Sequence, residues 1–406
     1  MKNLSQANAP TSPLILQRIC SFFISLLCLS TPLFSSQKGT LQTLPEIKIG
    51  LSAALSGPTK NLGLNIKLGI ETYFQQVNEH GGVSGRSIRL IALDDGYVPE
   101  RARKNMIHLI DQEKVLAVAG NVGTPTAAAT VPIANEKKTL LFGAYSGAGL
   151  LRRNPPDRYV INYRASYAEE TSAMIKGLLA QGIRPVEIAF FSQRDQYGDA
   201  GYQGAVEALK QSGFLRSDQL IHGRYTRNDT DIEEGLLSIV DSRIKPKAII
   251  MVGTYQPCAK FIRIAKQVLL DTYFLNVSFV GSTALNRALK EKGEGVFVTQ
   301  VVPHLNAELP ITIEYRKAMK QFAPEADLGF VSLEGYILAK ILVQGCIQAG
   351  TTLNRESLID ALEQFKDLDI GLENTVTLSR TSHQASHKVW MTKIQKGRYI
   401  PVEWNY

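Results

Sequence analysis

The sequence predicts an α/β fold of two doubly wound lobes, each a mostly parallel sheet with helices on both faces. Its 406 residues are too many for one core, and 44% hydrophobic with 20% charged residues is globular usage that excludes a disordered chain. From Ile47 onward short β-branched runs alternate with amphipathic helical stretches, the pattern of a parallel sheet with crossover helices. Near Tyr159 the alternation starts afresh, which predicts a second unit of the same design.

In the first unit, Ile47 to Ser52 reads as a strand. The helix after it carries a stripe at Ile66, Ile70, Tyr73, Phe74 and Val77 and stops at Gly81-Gly82, where left-handed backbone is tolerated. A strand from Ile88 to Leu93, a helix from Pro99 to Asp111, a strand from Val115 to Ala119, a helix opening near Thr124 and a strand from Leu140 to Gly143 complete it. The second unit reads as a helix from Tyr167 to Leu179, a strand from Val186 to Phe191, a helix to Leu209, a strand to Tyr225 and a helix from Ile232 to Ile239. Ala248 to Val252, a helix from Ala259 to Leu269, Phe279-Val280, a short helix and Val296 to Val302 continue the pattern. Helices follow at Ile311 to Phe322, Phe330 to Cys346 and Arg355 to Phe365. Lys396-Gly397 then marks the turn of a closing hairpin. No repeat or low-complexity linker interrupts the chain, so several crossings forming a hinge are expected between the lobes.

Lys2 and Arg18 precede an uncharged apolar run from Ile19 to Leu29, of signal-peptide length and too short to span a bilayer comfortably. Residues 1–36 are therefore read as a signal peptide or an uncleaved N-terminal anchor, and either reading predicts export to the periplasm. No later stretch of eighteen apolar residues is read, which disfavours a membrane enzyme or carrier. Without the leader the formal charge falls from +8 to +6, with basic and acidic residues interspersed, so no nucleic-acid surface is expected. Cys258 and Cys346 remain, both in helical apolar patterns. Buried free thiols are the plain reading, and spacing alone does not derive a bridge.

Catalytic constellations are missing. The sequence has no Gly-x-Ser-x-Gly elbow, no phosphate loop ending in Gly-Lys-Ser/Thr, and no Gly-x-Gly-x-x-Gly after the first strand, so neither an enzyme nor a cofactor is expected. His383 and His387 lie in a polar stretch without a nearby carboxylate and read as surface histidines.

The informative segments follow strands. Gly120 to Thr126 places Thr124 at a helix cap and Pro125 at the first helical position. That arrangement serves plain capping and an anion site equally well from these residues alone. Gly143 to Gly149, which includes Tyr145, Ser146, Gly147 and Ala148, reads as a backbone cradle. Ser166 and Glu169 form a capping box, which makes capping Glu169's first role. Asp195 and Tyr197 project from one strand's carboxyl end and Tyr255 from another's, where open sheets bind ligands.

Taken in order, these stretches resemble the periplasmic branched-chain amino-acid binding proteins, the type I two-lobed solute receptors of ATP-driven importers. Ile47-x-Ile-Gly50, Leu55-Ser-Gly57, Asn78 to Arg86, Asp94-Asp95, Gly120 to Pro132, Asn162-Tyr-Arg164, Asp195 to Gly198 and Gly204 to Leu209 carry the likeness over nearly the whole chain beyond the leader. The resemblance implies three crossings, near Tyr163, near Val302 and within Gly371 to His387. Lobe 1 would then comprise residues 45–162 with 303–372, and lobe 2 residues 163–302 with 373–406. It implies a ligand between the lobes, with Thr124 at the carboxylate-binding hydroxyl and Tyr145 to Ala148 beside it. Ser56 and Leu62 would stand on the same lobe, with Asp195, Tyr197, Tyr255 and Ser282 opposite. Leu62 replaces a capping aromatic, and Gly281-Ser282-Thr283 lacks the glutamate used for an ammonium group, so Asp195 or Glu169 would have to offset that charge. The expected function is a monomeric, non-enzymatic receptor for an amino acid or related small polar solute, presented to a membrane ABC permease. The alternative keeps the fold as a sensory module for a membrane signalling partner.

Overall fold

The computed structural model describes residues 45–403. The leader expected over residues 1–36 lies outside them. The chain opens with β1 (Ile47–Ala53), α1 (Lys60–Glu79), β2 (Ile88–Asp94), α2 (Pro99–Asp111), β3 (Ala117–Ala119), α3 (Thr124–Glu136), β4 (Leu140–Phe142) and β5 (Val160–Ile161). These strands form a five-stranded parallel sheet in the order β2-β1-β3-β4-β5, with Ile49 registered against Leu90 and Ala117. The glycines ending α1 are left-handed as expected, with φ of +94° at Gly81 and +74° at Gly82.

The chain then builds a second sheet through α4 (Tyr167–Ala180), β6 (Ile188–Gln193), α5 (Gln196–Gln211), β7 (Ile221–Tyr225), α6 (Glu233–Val240), β8 (Ala248–Val252), α7 (Tyr255–Ala265), β9 (Tyr273–Asn276), α8 (Ser282–Leu289) and β10 (Phe297–Gln300). It next returns to the first layer. There α9 (Pro310–Phe322), α10 (Phe330–Ala349) and α11 (Arg355–Leu362) follow one another, and α10 lies against α1. A last passage reaches β11 (Trp390–Gln395) and β12 (Arg398–Val402), which close the seven-stranded order β12-β11-β10-β9-β8-β6-β7. Only the pairings of β11 are antiparallel, and the Lys396-Gly397 turn has positive φ at both residues (+49° and +70°), as a two-residue hairpin requires.

Helix α10 differs from the sequence reading. It is long and apolar enough to cross a membrane, yet 83% of its most apolar window is buried inside this fold, so it is a core helix. Gly69 on α1 meets the backbone of Ser332 and Tyr336, and Gly335 on α10 meets that of Ile66, so both positions need glycine for the helices to touch. Glu334 sits in this apolar run and is itself buried.

A second difference concerns Phe279-Val280. The strand is Tyr273–Asn276, and Ser278–Val280 form a 3-10 turn instead. Glu170 takes the Ser278 amide at 2.7 Å, which pulls the backbone out of the sheet before Phe279. Cys258 and Cys346 are both buried and free. His383 departs from expectation too, whereas His387 is exposed as expected. His383 is buried, with Nε2 3.1 Å from Glu363, and His387 Nδ1 is 2.6 Å from Glu169. Glu363 stands 20 residues before His383 and Glu169 218 before His387, so the neighbouring residues gave no sign of either.

Candidate functional site

The loops after β3, β4, β6, β8 and β9 converge between the two sheets. After β3, Gly123 is the cap residue of α3, and Thr124 and Pro125 are its first two helical residues, one position off the sequence reading. Gly123 has φ +107°, and a Cβ there would run into the Tyr97 ring. The Thr124 side chain is therefore spared from capping. Its Oγ1 lies 2.8 Å from Ser146 Oγ, which also accepts from the Ala148 amide at 3.3 Å. Gly147 leaves room for Tyr167, whose amide donates to the Gly147 carbonyl at 2.8 Å.

An aromatic cluster closes this floor. Tyr97 and Tyr145 reach in from the first lobe and Tyr167 and Tyr197 from the second, with centroids 6.2, 5.2, 6.4 and 4.5 Å from that of Phe279, in that order. All five side chains are buried. Burial raises the phenol pKa of all four tyrosines, so their hydroxyls are neutral donors. Tyr197 donates to the Gly253 carbonyl at 3.1 Å, whereas the Tyr167 hydroxyl lies beside Ser146 and Gly147 without a well-formed hydrogen bond.

The lobes touch through specific bonds. Tyr145 donates to the Ser278 carbonyl, Gln193 Nε2 to the Tyr97 hydroxyl, and Asn228 Nδ2 to the Gly96 carbonyl, each at 3.1 Å. Leu62 packs against Gly281, and the Tyr255 hydroxyl meets Asn61. Arg164, on the first chain passage between sheets, is buried beneath the aromatics. Its guanidinium carbon lies 4.4 Å from the Tyr145 centroid, its Nε 3.5 Å from Glu334 and its Nη2 4.0 Å from Glu170, and it bonds the Ser278 hydroxyl. Burial pushes Glu334 up to about 7 and raises Glu170, against the opposing pull of Arg164.

Most expected residues gather here: Leu62, Thr124, Tyr145, Ser146, Gly147, Ala148, Tyr197 and Tyr255 are all buried around the interlobe seam. Ser56 is exposed at the rim, where its hydroxyl donates to Asp94 Oδ2 at 2.6 Å. Ser282 turns its hydroxyl onto Gln300. Asp195 caps α5 through the Tyr197 amide and pairs with Arg227 at 3.0 Å. Glu169 closes the expected capping box with Ser166. Glu170, Glu334, Tyr97 and Tyr167 were not singled out as site residues from the sequence, and Arg164 and Phe279 entered it only as part of a family motif and a strand. A lone glutamate inside the apolar run Phe330–Leu338 was the one available signal.

A pocket of about 800 Å³ runs from Thr124 past Gly147 and Tyr167 to Gln384. Among the described residues no cluster of His, Cys, Asp and Glu could hold a metal.

Residues 46–398 match the model of a family described as periplasmic binding protein. The Leu/Ile/Val-binding protein of Escherichia coli K12 is 22% identical over 281 residues, 68% of this chain and 73% of that protein. The crystal structure of a possible leucine/isoleucine/valine-binding protein from Rhodopirellula baltica SH 1 is similar at 46% identity, covering 90% of this chain and 98% of that one with a TM-score of 0.87. The fold is shared with a branched-chain amino acid ABC transporter protein of Thermus thermophilus with bound valine, at 16% identity and a TM-score of 0.79 over 89% and 97% of the two chains. The chain therefore belongs to the periplasmic binding protein family, two-lobed type I solute-binding proteins that are not enzymes.

Proposed function

We propose that this protein is an extracytoplasmic receptor that captures an amino acid or related small polar solute between its lobes and delivers it to an ABC permease. The observation that carries this reading is the Thr124–Ser146 hydroxyl pair, 2.8 Å apart at the amino end of α3, with Tyr167 of the second lobe beside Ser146 and on the same pocket as Thr124. Backbone amides and the helix dipole at that end favour a carboxylate. Groups from both lobes border the same pocket, so a ligand filling it interacts differently with open and closed forms, which is the condition for driving closure. The relatives' names support the solute class: they are Leu/Ile/Val-binding proteins, and one homologous structure holds valine. The reading assigns ligand contacts to Thr124, Tyr145, Ser146, Gly147, Ala148 and Tyr197, with Leu62 and Tyr255 at the seam and Asp195, Ser56 and Ser282 outside the first contacts.

The test is a thermal-shift screen of the mature protein against amino acids, amides, aromatic acids and short peptides, with small-angle scattering on each hit. A binding solute raises the melting temperature and compacts the protein. If no solute does either, the reading fails.

A further inference from the structure

Every carboxylate bordering the pocket or the tyrosine cluster already has partners. Glu169 accepts from the Ser166 amide at 2.6 Å and from the Ser166 hydroxyl at 2.7 Å, and lies 2.6 Å from His387 Nδ1. Asp199 is paired with Arg224. Asp195 accepts from Arg227 at 3.0 Å, from Gln193 Nε2 at 2.8 Å and from the Tyr197 amide at 3.0 Å. Glu170 is held by the Ser278 amide and hydroxyl and the Thr299 hydroxyl, on the Arg164 side of the aromatic cluster.

Arg152 lines the same pocket. Its guanidinium donates to Gln384 Oε1 at 2.8 Å and to the carbonyls of Ser146, Ala148 and Arg164 at 3.2, 3.1 and 2.8 Å, all neutral oxygens. No carboxylate stands within ion-pair distance of it among the described residues. Burial lowers its pKa only to about 10, so it stays charged at neutral pH. The pocket thus offers a cation, the amide end of α3 with Thr124, and the partnerless hydroxyl of Tyr167.

We propose that the cleft is built for a small carboxylate lacking an α-ammonium group, a 2-oxo or 2-hydroxy acid, in preference to the zwitterionic amino acid of the same skeleton. The inference rests on the receptor reading above and narrows its ligand class. An ammonium entering this site would be stripped of water and would meet carboxylates whose oxygens are already bonded, Glu169 to Ser166, Gln384 and His387 and Asp199 to Arg224, a costly case for a buried charge. A carbonyl or hydroxyl at that position asks only for neutral hydrogen bonds, which the Tyr167 hydroxyl is placed to supply.

The experiment is isothermal titration of the mature protein with matched pairs: L-leucine against 4-methyl-2-oxopentanoate, and L-phenylalanine against phenylpyruvate. The oxo acid of at least one pair should bind at least about tenfold more tightly than its amino acid. Equal or tighter binding of the amino acids overturns the inference and leaves the receptor reading standing. Binding by no member of either pair overturns the inference too, and the wider solute screen then decides the receptor reading separately.

Discussion

The hydroxyls of Thr124 and Ser146 meet at 2.8 Å although they come from the loops after different strands, β3 and β4. One hydroxyl donates in that bond, so the other proton remains free to point at a ligand oxygen. Thr124→Ala should weaken ligand binding by about tenfold or more, the scale of a hydrogen bond to a charged group. The unliganded protein should keep its far-ultraviolet circular dichroism, and titration calorimetry reads the loss.

Closure should depend on the bonds that span the lobes. Gln193→Ala and Asn228→Ala each remove one interlobe hydrogen bond, to the Tyr97 hydroxyl and the Gly96 carbonyl. Each change biases the protein toward the open form without touching Thr124, so affinity falls in proportion to the closed population. A several-fold rise in Kd with a larger radius of gyration in scattering is expected for each.

Glu334 makes stability depend on pH. Its folded pKa of about 7 lies above the ordinary glutamate value of about 4.3, because burial with only a shared guanidinium disfavours the charged form. A carboxyl shifted this way contributes stability that is full below its unfolded pKa and is lost as pH rises through the folded one. Glu170 shifts in the same direction, and Arg164 and Arg152 oppose Glu334's shift. The melting temperature of Glu334→Gln should therefore gain on wild type as pH climbs from about 5 to about 7.5. Calorimetry across that window tests it, and a constant difference would contradict it.

Gly123→Ala should cost more than about 1 kcal/mol, because φ is +107° there and the new methyl meets the Tyr97 ring. Ser166→Ala should cost about 1 kcal/mol by opening the capping box of α4. Denaturant midpoints separate the two: only Gly123→Ala also displaces Tyr97, and it should lower ligand affinity as well.

Local pattern carried much of the architecture. The α1 stripe, the glycines that end it, the Ser166–Glu169 box and the Lys396-Gly397 turn follow from neighbours in sequence, because periodicity, caps and turn dihedrals are short-range properties. The same reasoning pointed to Thr124 and Tyr197 as candidates, since strand ends followed by helix starts are visible in the alternation. It placed Phe279-Val280 in a strand because the apolar pair is compatible with one. The bond from the Ser278 amide to Glu170 reaches across 108 residues and could not be seen locally.

The sequence by itself determined two α/β units, their helix boundaries to within a few residues, and the glycine-rich loops at their strand ends. Only the tertiary structure decided which charges cancel. Asp195 found Arg227, and Arg164 came to lie between Glu170 and Glu334. Pairing energies depend on distance and burial in space, and separation along the chain fixes neither.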